Sequence, residues 1–348
     1  MTGPRVLITG GAGFFGTHLA GALLNKGLGV TILDRNEIED RRLRATAGFV
    51  KGDIRDKDAA AKAAEGVDYI FHNAAIVPAA RATKNEYFEV NAGGTENILR
   101  AADAGGVKRF IFISSSSVYG IPKELPITES SPFAPVCEYS RSKVAAEGIC
   151  NKYRQKGLQI TVIRPRTIVG KKRLGIFHIL FNWISDRKNI YIIGDGKNRI
   201  QFLSQKDLID ACIRAMDSEN SNTDFNLGSA DFGEIGEDLK ELIEYAGSPS
   251  KIRHIPPGFA ECALSLLDKL NLSPLSALHY KTGHKSVYCD TAKARRLLGW
   301  SAEIGNTEML KEAYAWYTEN KEELDKATGT THTKGARQRL LYLLKRLS

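Results

Sequence analysis

Tyr139 and Lys143 are four positions apart in the run Tyr139-Ser140-Arg141-Ser142-Lys143. At helical spacing this puts a phenol and an ammonium on one face, a turn apart. A phenol titrating near ~10 is a poor base at neutral pH. A cation beside it favours the phenolate and makes it a base for a hydroxyl proton. Alone, a Tyr-x-x-x-Lys pair recurs by chance and usually marks a solvated helix face. What precedes it raises its weight. Ser114-Ser115-Ser116-Ser117 follow the apolar run Phe110-Ile111-Phe112-Ile113 and lead into Val118-Tyr119-Gly120. Hydroxyls then lie at the carboxyl end of a buried strand, where open α/β sheets bind ligands. A serine there can hydrogen-bond an oxygen as it turns from hydroxyl to carbonyl. The plain alternative is a polar strand exit with helix-capping serines.

Such an oxidation needs an electron acceptor, and the start of the chain offers a place for one. Thr9-Gly10-Gly11-Ala12-Gly13-Phe14-Phe15-Gly16 lies between the first strand pattern and the first helix pattern. Gly11, Gly13 and Gly16 satisfy G-x-G-x-x-G: a tight turn, then a bare backbone for a pyrophosphate, then close helix–strand packing. Phosphates would meet free N–H groups at the helix's positive end. The expected cradle is Gly10, Gly13, Phe14, Phe15 and Gly16. Asp34, closing the second strand, can accept both hydroxyls of an adenosine ribose and repels a 2′-phosphate, which favours NAD over NADP. Arg35 beside it tempers that choice. A nicotinamide cation near Tyr139 would add to the effect of Lys143, whose ammonium could also hold the nicotinamide ribose.

These groups need a scaffold, and the first half of the chain alternates strand-like and helix-like segments. Strands are expected at 5–8, 30–33, 49–50, 69–72, 110–114 and 160–164, and helices at 14–26, 56–65, 86–104 and 138–156. Gly27, Gly66, Gly105 and Gly157 follow those helices, where left-handed caps would sit. Beyond Gly170 come a helix at 176–188, a strand at 190–193, the turn Gly194-Asp195-Gly196, a helix at 206–216 and more helices to 326. The fold class is α/β: a Rossmann-type doubly wound parallel sheet with a smaller, mostly helical C-terminal substrate lobe. The dinucleotide domain is expected over 1–170, with part of 200–230 returning to it. The substrate lobe would span 171–330, ahead of a basic amphipathic tail over 331–348.

Composition excludes several classes. With 43% hydrophobic and 26% charged residues the chain is an ordinary globular one. Of its net charge of +9, Lys334, Arg337, Arg339, Lys345 and Arg346 supply five, leaving an unremarkable +4 for the body. With no zinc-finger spacing or RNA-binding aromatic motif, no nucleic-acid partner is expected. Five scattered cysteines without a CxxC pair read as reduced thiols. With no apolar run long enough for a leader or a membrane span, a cytoplasmic protein is expected. The dispersed histidines offer no metal cluster. In the tail, Leu340, Leu343, Leu344 and Leu347 share a helical side with basic residues mostly opposite. Residues 334–348 could therefore lie peripherally on an anionic membrane or dock on the protein's own body or a partner subunit.

Taken in order, these pieces resemble the extended short-chain dehydrogenases/reductases of the NAD-dependent epimerase/dehydratase type, over nearly the whole chain. Further matching pieces are Asp53-Ile54, His72-Asn73-Ala74-Ala75, Asn91 with Gly94-Thr95, Arg164-Pro165 with Gly170, and Leu298-Gly299-Trp300. The resemblance implies adenine contacts for Asp53 and Ile54 and a cofactor channel lined by Ala74 and Ala75. Asn91 and Pro165 also go to the cofactor. The catalytic set becomes Ser115, Tyr139 and Lys143, with Ser116 as neighbour and substitute. A homodimer paired through helices is implied as well.

Within that family, relatives that dehydrate nucleotide sugars carry an Asp-Glu pair where this chain has Ser116 and Ser117. Decarboxylating relatives carry a glutamate where it has Ser117. The serine run is most similar to that of 4-epimerases of UDP-hexoses or UDP-uronic acids, so the first expectation is NAD-dependent 4-epimerisation of a nucleotide sugar. Thr167 replaces a familiar asparagine, and Arg199 is displaced by one from a familiar arginine. Lys171-Lys172-Arg173 could supply positive charge for a pyrophosphate or be a solvated basic loop. The expected substrate residues are Ser116, Thr167, Lys172, Arg173 and Arg199. Gly194-Asp195-Gly196-Lys197-Asn198 also resembles 3β-hydroxysteroid and sterol dehydrogenases, leaving an alcohol dehydrogenase as the second reading. A non-catalytic NAD-binding regulator is the third.

Overall fold

Among the residues described by the computed structural model, 3–326 except 81, 173, 174, 270–272 and 274, seven strands form one parallel sheet. In chain order the strands are β1 (Arg5–Thr9), β2 (Gly29–Asp34), β3 (Gly48–Lys51), β4 (Tyr69–His72), β5 (Arg109–Ile113) and β6 (Ile160–Pro165). They continue as β7 (Thr167–Val169), β8 (Ile190–Ile193), β9 (Phe202–Ser204), β10 (Asp224–Leu227) and β11 (Ile252–Ile255). The main sheet runs β10-β6-β5-β4-β1-β2-β3. The chain winds outward from β1 to β3, crosses back to β4 and winds outward the other way to β10. The reversal between β1 and β4 opens a crevice at the carboxyl ends of the strands, the usual ligand position in such sheets.

The pleat explains why these strands are apolar on both faces. Val6 and Ile8 pack toward the helices Phe14–Asn25 and Gln205–Asp217. Leu7, between them, joins Ile98, Leu99, Ala146 and Cys150 on the opposite face. All three strand residues are fully buried, and each contributes about 1.5–3 kcal/mol of burial.

The expected helix over 86–104 is broken into Lys84–Phe88, a π-helical turn Glu89–Gly94, and Thr95–Ala104. Gly94 is the physical reason for close packing there: a Cβ on it would fall 2.4 Å from Ile54 Cδ1. Gly27, Gly66 and Gly157 take the expected positive φ, but Gly105 does not. Gly106, at φ +64°, does so instead.

The C-terminal region is mainly helical around a second core of Phe181, Trp183, Leu310, Tyr314 and Tyr317. It also contains two small parallel pairs, β7 with β9 and β8 with β11, of which only β8 is legible as a strand run. The strands of three or four residues carry too little periodicity to be read in advance. The basic tail over 331–348 lies outside the described residues. No helix among the described residues is long and apolar enough to cross a membrane.

Candidate active site

The turn after β1 belongs to Gly10, at φ +70°, not to Gly11 as the motif spacing suggests. A Cβ on Gly10 would sit 2.8 Å from the Ala74 backbone, and one on Gly16 would sit 2.3 Å from the Gly10 carbonyl oxygen. Gly11 is pressed instead against Ile32. The helix Phe14–Asn25 starts at Gly13 with no side-chain cap, so its positive end is left for an anion. Phe14 and Phe15 bury their rings in the core and can offer only backbone. Asp34 ends β2 with one carboxylate oxygen accepting from Ala12 N at 3.0 Å and the other from Asn36 N at 2.9 Å. Arg35 beside it is exposed. Asp53 is bonded through both oxygens to Arg55, 2.8 Å at the closer pair, and this holds its carboxyl below the usual range. Ile54 turns its side chain into the core. A bare glycine cradle, an uncapped helix end and a carboxylate at the tip of β2 fit a dinucleotide.

Tyr139 and Lys143 both lie buried on the helix Glu138–Gln155. The Tyr139 ring meets Tyr87 edge-on, with centroids 6.3 Å apart. Lys143 Nζ donates to the Ile113 carbonyl at 2.8 Å, over the Phe112 ring, and so ties the helix to the end of β5. Ser115 is half-buried at that strand exit, with Oγ accepting from Ser117 N. One turn beyond Lys143, Glu147 accepts from Ser114 Oγ at 2.5 Å and from Arg164 Nη2 at 2.7 Å. Arg164 also pairs with Asp224 at 2.7 Å and donates to Tyr119 Oη. Lys143 and Ser115 are thus brought to the end of β5, beside a buried ionic brace, with Tyr139 one turn before Lys143 on the same helix. Sequence reasoning passed over Glu147, although it continues the Tyr139–Lys143 face at i+4.

A second brace runs through His72. Burial, then the charge of Lys143, pushes its pKa down to about 3, so the ring is neutral and carries one proton. Thr95 gives its hydroxyl proton to the Asn91 carbonyl, so His72 Nε2 donates to Thr95 Oγ1 at 2.9 Å. Nδ1 then accepts from Thr9 Oγ1, which in turn accepts from Ala74 N. Asn91 was expected at the cofactor, but it is almost wholly buried and its amide is committed elsewhere. It grips Ile76 through N–H and carbonyl and donates to Ser142 Oγ, which donates to the Tyr139 carbonyl. Asn91 thereby links the segment after β4 to the helix of Tyr139.

The expected substrate residues scatter. Ser116 is buried and accepts from Arg166 Nη1 at 3.0 Å. Thr167 is exposed on β7. Lys172 is exposed at φ +67°, and Arg173 lies outside the described residues. Arg199 is exposed with its guanidinium over the adjacent rings of Phe232 and Tyr288, 4.8 and 4.9 Å away. Pro165 is buried at the end of β6. Arg166, between Pro165 and Thr167, carried no sequence expectation.

Burial pushes the Lys143 ammonium down to about 8, against a partial lift from Glu147. Between that value and the ordinary lysine range, the unfolded chain holds a proton the folded one has released. Stability from this group therefore rises with pH there, and below about 8 the buried cation costs the fold. Lys143→Met is expected to abolish activity yet raise Tm at pH 7 by a few degrees, about 1–2 kcal/mol after loss of the Ile113 hydrogen bond. The gain should vanish by pH ~10.5. Thermal melts at the two pH values check this; equal Tm shifts at both would refute it.

Comparison with known proteins agrees with the geometry. Residues 6–228 match the model of the NAD dependent epimerase/dehydratase family. The chain is 38% identical to the uncharacterized protein y4nG of Sinorhizobium fredii (strain NBRC 101917 / NGR234), over 97% of this chain and 85% of that one. It is 30% identical to a UDP-glucose 4-epimerase of Lactobacillus helveticus, over 90% and 97%. The fold matches the UDP-glucose 4-epimerase of Thermotoga maritima solved with UDP-glucose, with a TM-score of 0.76 at 24% identity over 91% and 99%. With its glycine cradle, buried Tyr139–Lys143 pair and doubly wound sheet, the chain belongs to the NAD dependent epimerase/dehydratase family.

Proposed function

We propose that this protein is an NAD-dependent 4-epimerase of a nucleotide-linked sugar. One observation carries the reading. The strand exit facing the Tyr139 helix presents only hydroxyls, Ser114 to Ser117, with its nearest carboxylate, Glu147, consumed by Arg164 and Ser114. The serine run thus offers hydrogen-bond donors but no carboxylic acid of its own for elimination. NAD bound on the glycine cradle supplies the two-electron chemistry. Tyr139 takes the proton of the substrate hydroxyl and later returns it. Lys143 favours the charged phenol, and Ser115 holds the oxygen while it is a carbonyl. Inversion then requires the keto sugar to present its other face before hydride returns to C4 and the proton to the oxygen.

The test is conversion of UDP-hexoses and UDP-hexuronates by the NAD-loaded protein, followed by nuclear magnetic resonance of the sugar. The expected product is the C4 epimer, with no net accumulation of NADH. A ketone formed with stoichiometric NADH would make the protein a dehydrogenase. No conversion across the panel would remove the reading.

A further inference from the structure

Arg166 is a half-buried arginine with no carboxylate partner among the described residues. Arg164, two residues earlier, holds both Glu147 and Asp224. Arg166, by contrast, makes no ion pair among the described residues. Its Nη1 donates to Ser116 Oγ at 3.0 Å and its Nε to the Gln201 carbonyl at 3.3 Å. Burial pulls its pKa down. Its seat is rigid. Gln201 donates to the Ser229 carbonyl at 2.8 Å and accepts from Cys289 N at 2.9 Å, and Gly228 packs so closely that a Cβ there would fall 2.3 Å from Gln201 Cδ. A guanidinium has five N–H donors, and the protein engages two of its nitrogens. Such a cation is expensive to bury unless an anion completes it.

The position of Arg166 indicates which anion. Its hydrogen-bonded partner Ser116 adjoins Ser115, the serine assigned above to the reacting oxygen. In a hexopyranose, C4 is bonded to C5, which bears C6, while the nucleotide diphosphate hangs from C1 across the ring. A charge beside the reacting hydroxyl therefore belongs on C6. A planar carboxylate there matches the guanidinium fork. We propose that Arg166, with Ser116, binds the C6 carboxylate of a nucleotide-linked hexuronic acid, making a uronate the preferred substrate over a neutral hexose. This rests on the epimerase reading and narrows it.

The experiment compares kcat/KM of the NAD-loaded protein for UDP-glucuronate and UDP-glucose. Wild type is expected to favour the uronate by about 100-fold or more, because a site built for a polar group discriminates strongly against its absence. Arg166→Met should collapse that ratio toward unity, and Arg166→Lys should recover part of it. An equal fall on both sugars in Arg166→Met would reveal a purely structural role and overturn the proposal. Wild type that epimerises UDP-glucose as well as UDP-glucuronate, or better, overturns it while leaving the epimerase reading intact. If neither sugar reacts, both fall. The wild-type ratio decides the matter even if the variants do not fold, which the Tm shift on adding NAD would reveal.

Discussion

Tyr139→Phe is expected to lower kcat/KM by about a thousandfold or more, the scale of a lost general base, while NAD affinity stays within about threefold. The phenyl ring keeps the edge contact with Tyr87 and the buried position, so the change deletes one oxygen and little else. The neighbouring anchors survive, since Lys143 bonds Ile113 and Ser142 bonds the backbone carbonyl of residue 139 rather than its hydroxyl. Initial rates against UDP-sugars, with a fluorescence titration of NAD, measure the two effects separately. A rate within tenfold of wild type would take Tyr139 out of the mechanism.

Glu147→Leu is expected to cost about 3–5 kcal/mol of stability, because it strands a buried arginine. Arg164 would keep Asp224, a half-buried carboxylate shared with Arg154, and its bonds to Tyr119 and the Glu129 carbonyl. Ser114 would lose its acceptor as well. The double variant Glu147→Leu with Arg164→Met should recover part of the loss, since removing both charges is far cheaper than removing one. Urea unfolding of the three proteins gives the comparison. A loss below about 1 kcal/mol in the single variant would mean that Asp224 alone satisfies the arginine. Activity should fall with stability, because the same carboxylate braces the serine strand against the Tyr139 helix.

Much of the cofactor side was legible because its chemistry is local. Glycines must lie where backbone meets backbone, and Gly10 and Gly16 do so within one turn of chain. Even there the roles shifted by a residue: spacing assigned the turn to Gly11, whereas the positive φ falls on Gly10, where Ala74, just past the end of β4, also leaves no room for a Cβ. The substrate side was legible only in part. Thr167 and Lys172 were chosen by neighbourhood and are exposed, and on the cofactor side the bonds that tie Asn91 to Ile76 and Ser142 could not be read from the chain order.

What the chain order determined by itself was periodicity and nearest neighbours. The strands with both faces apolar, the Tyr139–Lys143 face and the glycine turn all follow from residues within a few positions of one another, where backbone geometry alone sets the distance. What only the tertiary structure decided was pairing across long separations. Arg164 finds Asp224, His72 finds Thr95, and Arg166 meets Ser116 and Gln201 but no carboxylate among the described residues. Such partners are chosen by sheet order and burial, because a buried charge or amide must find whatever group the packed fold delivers to it.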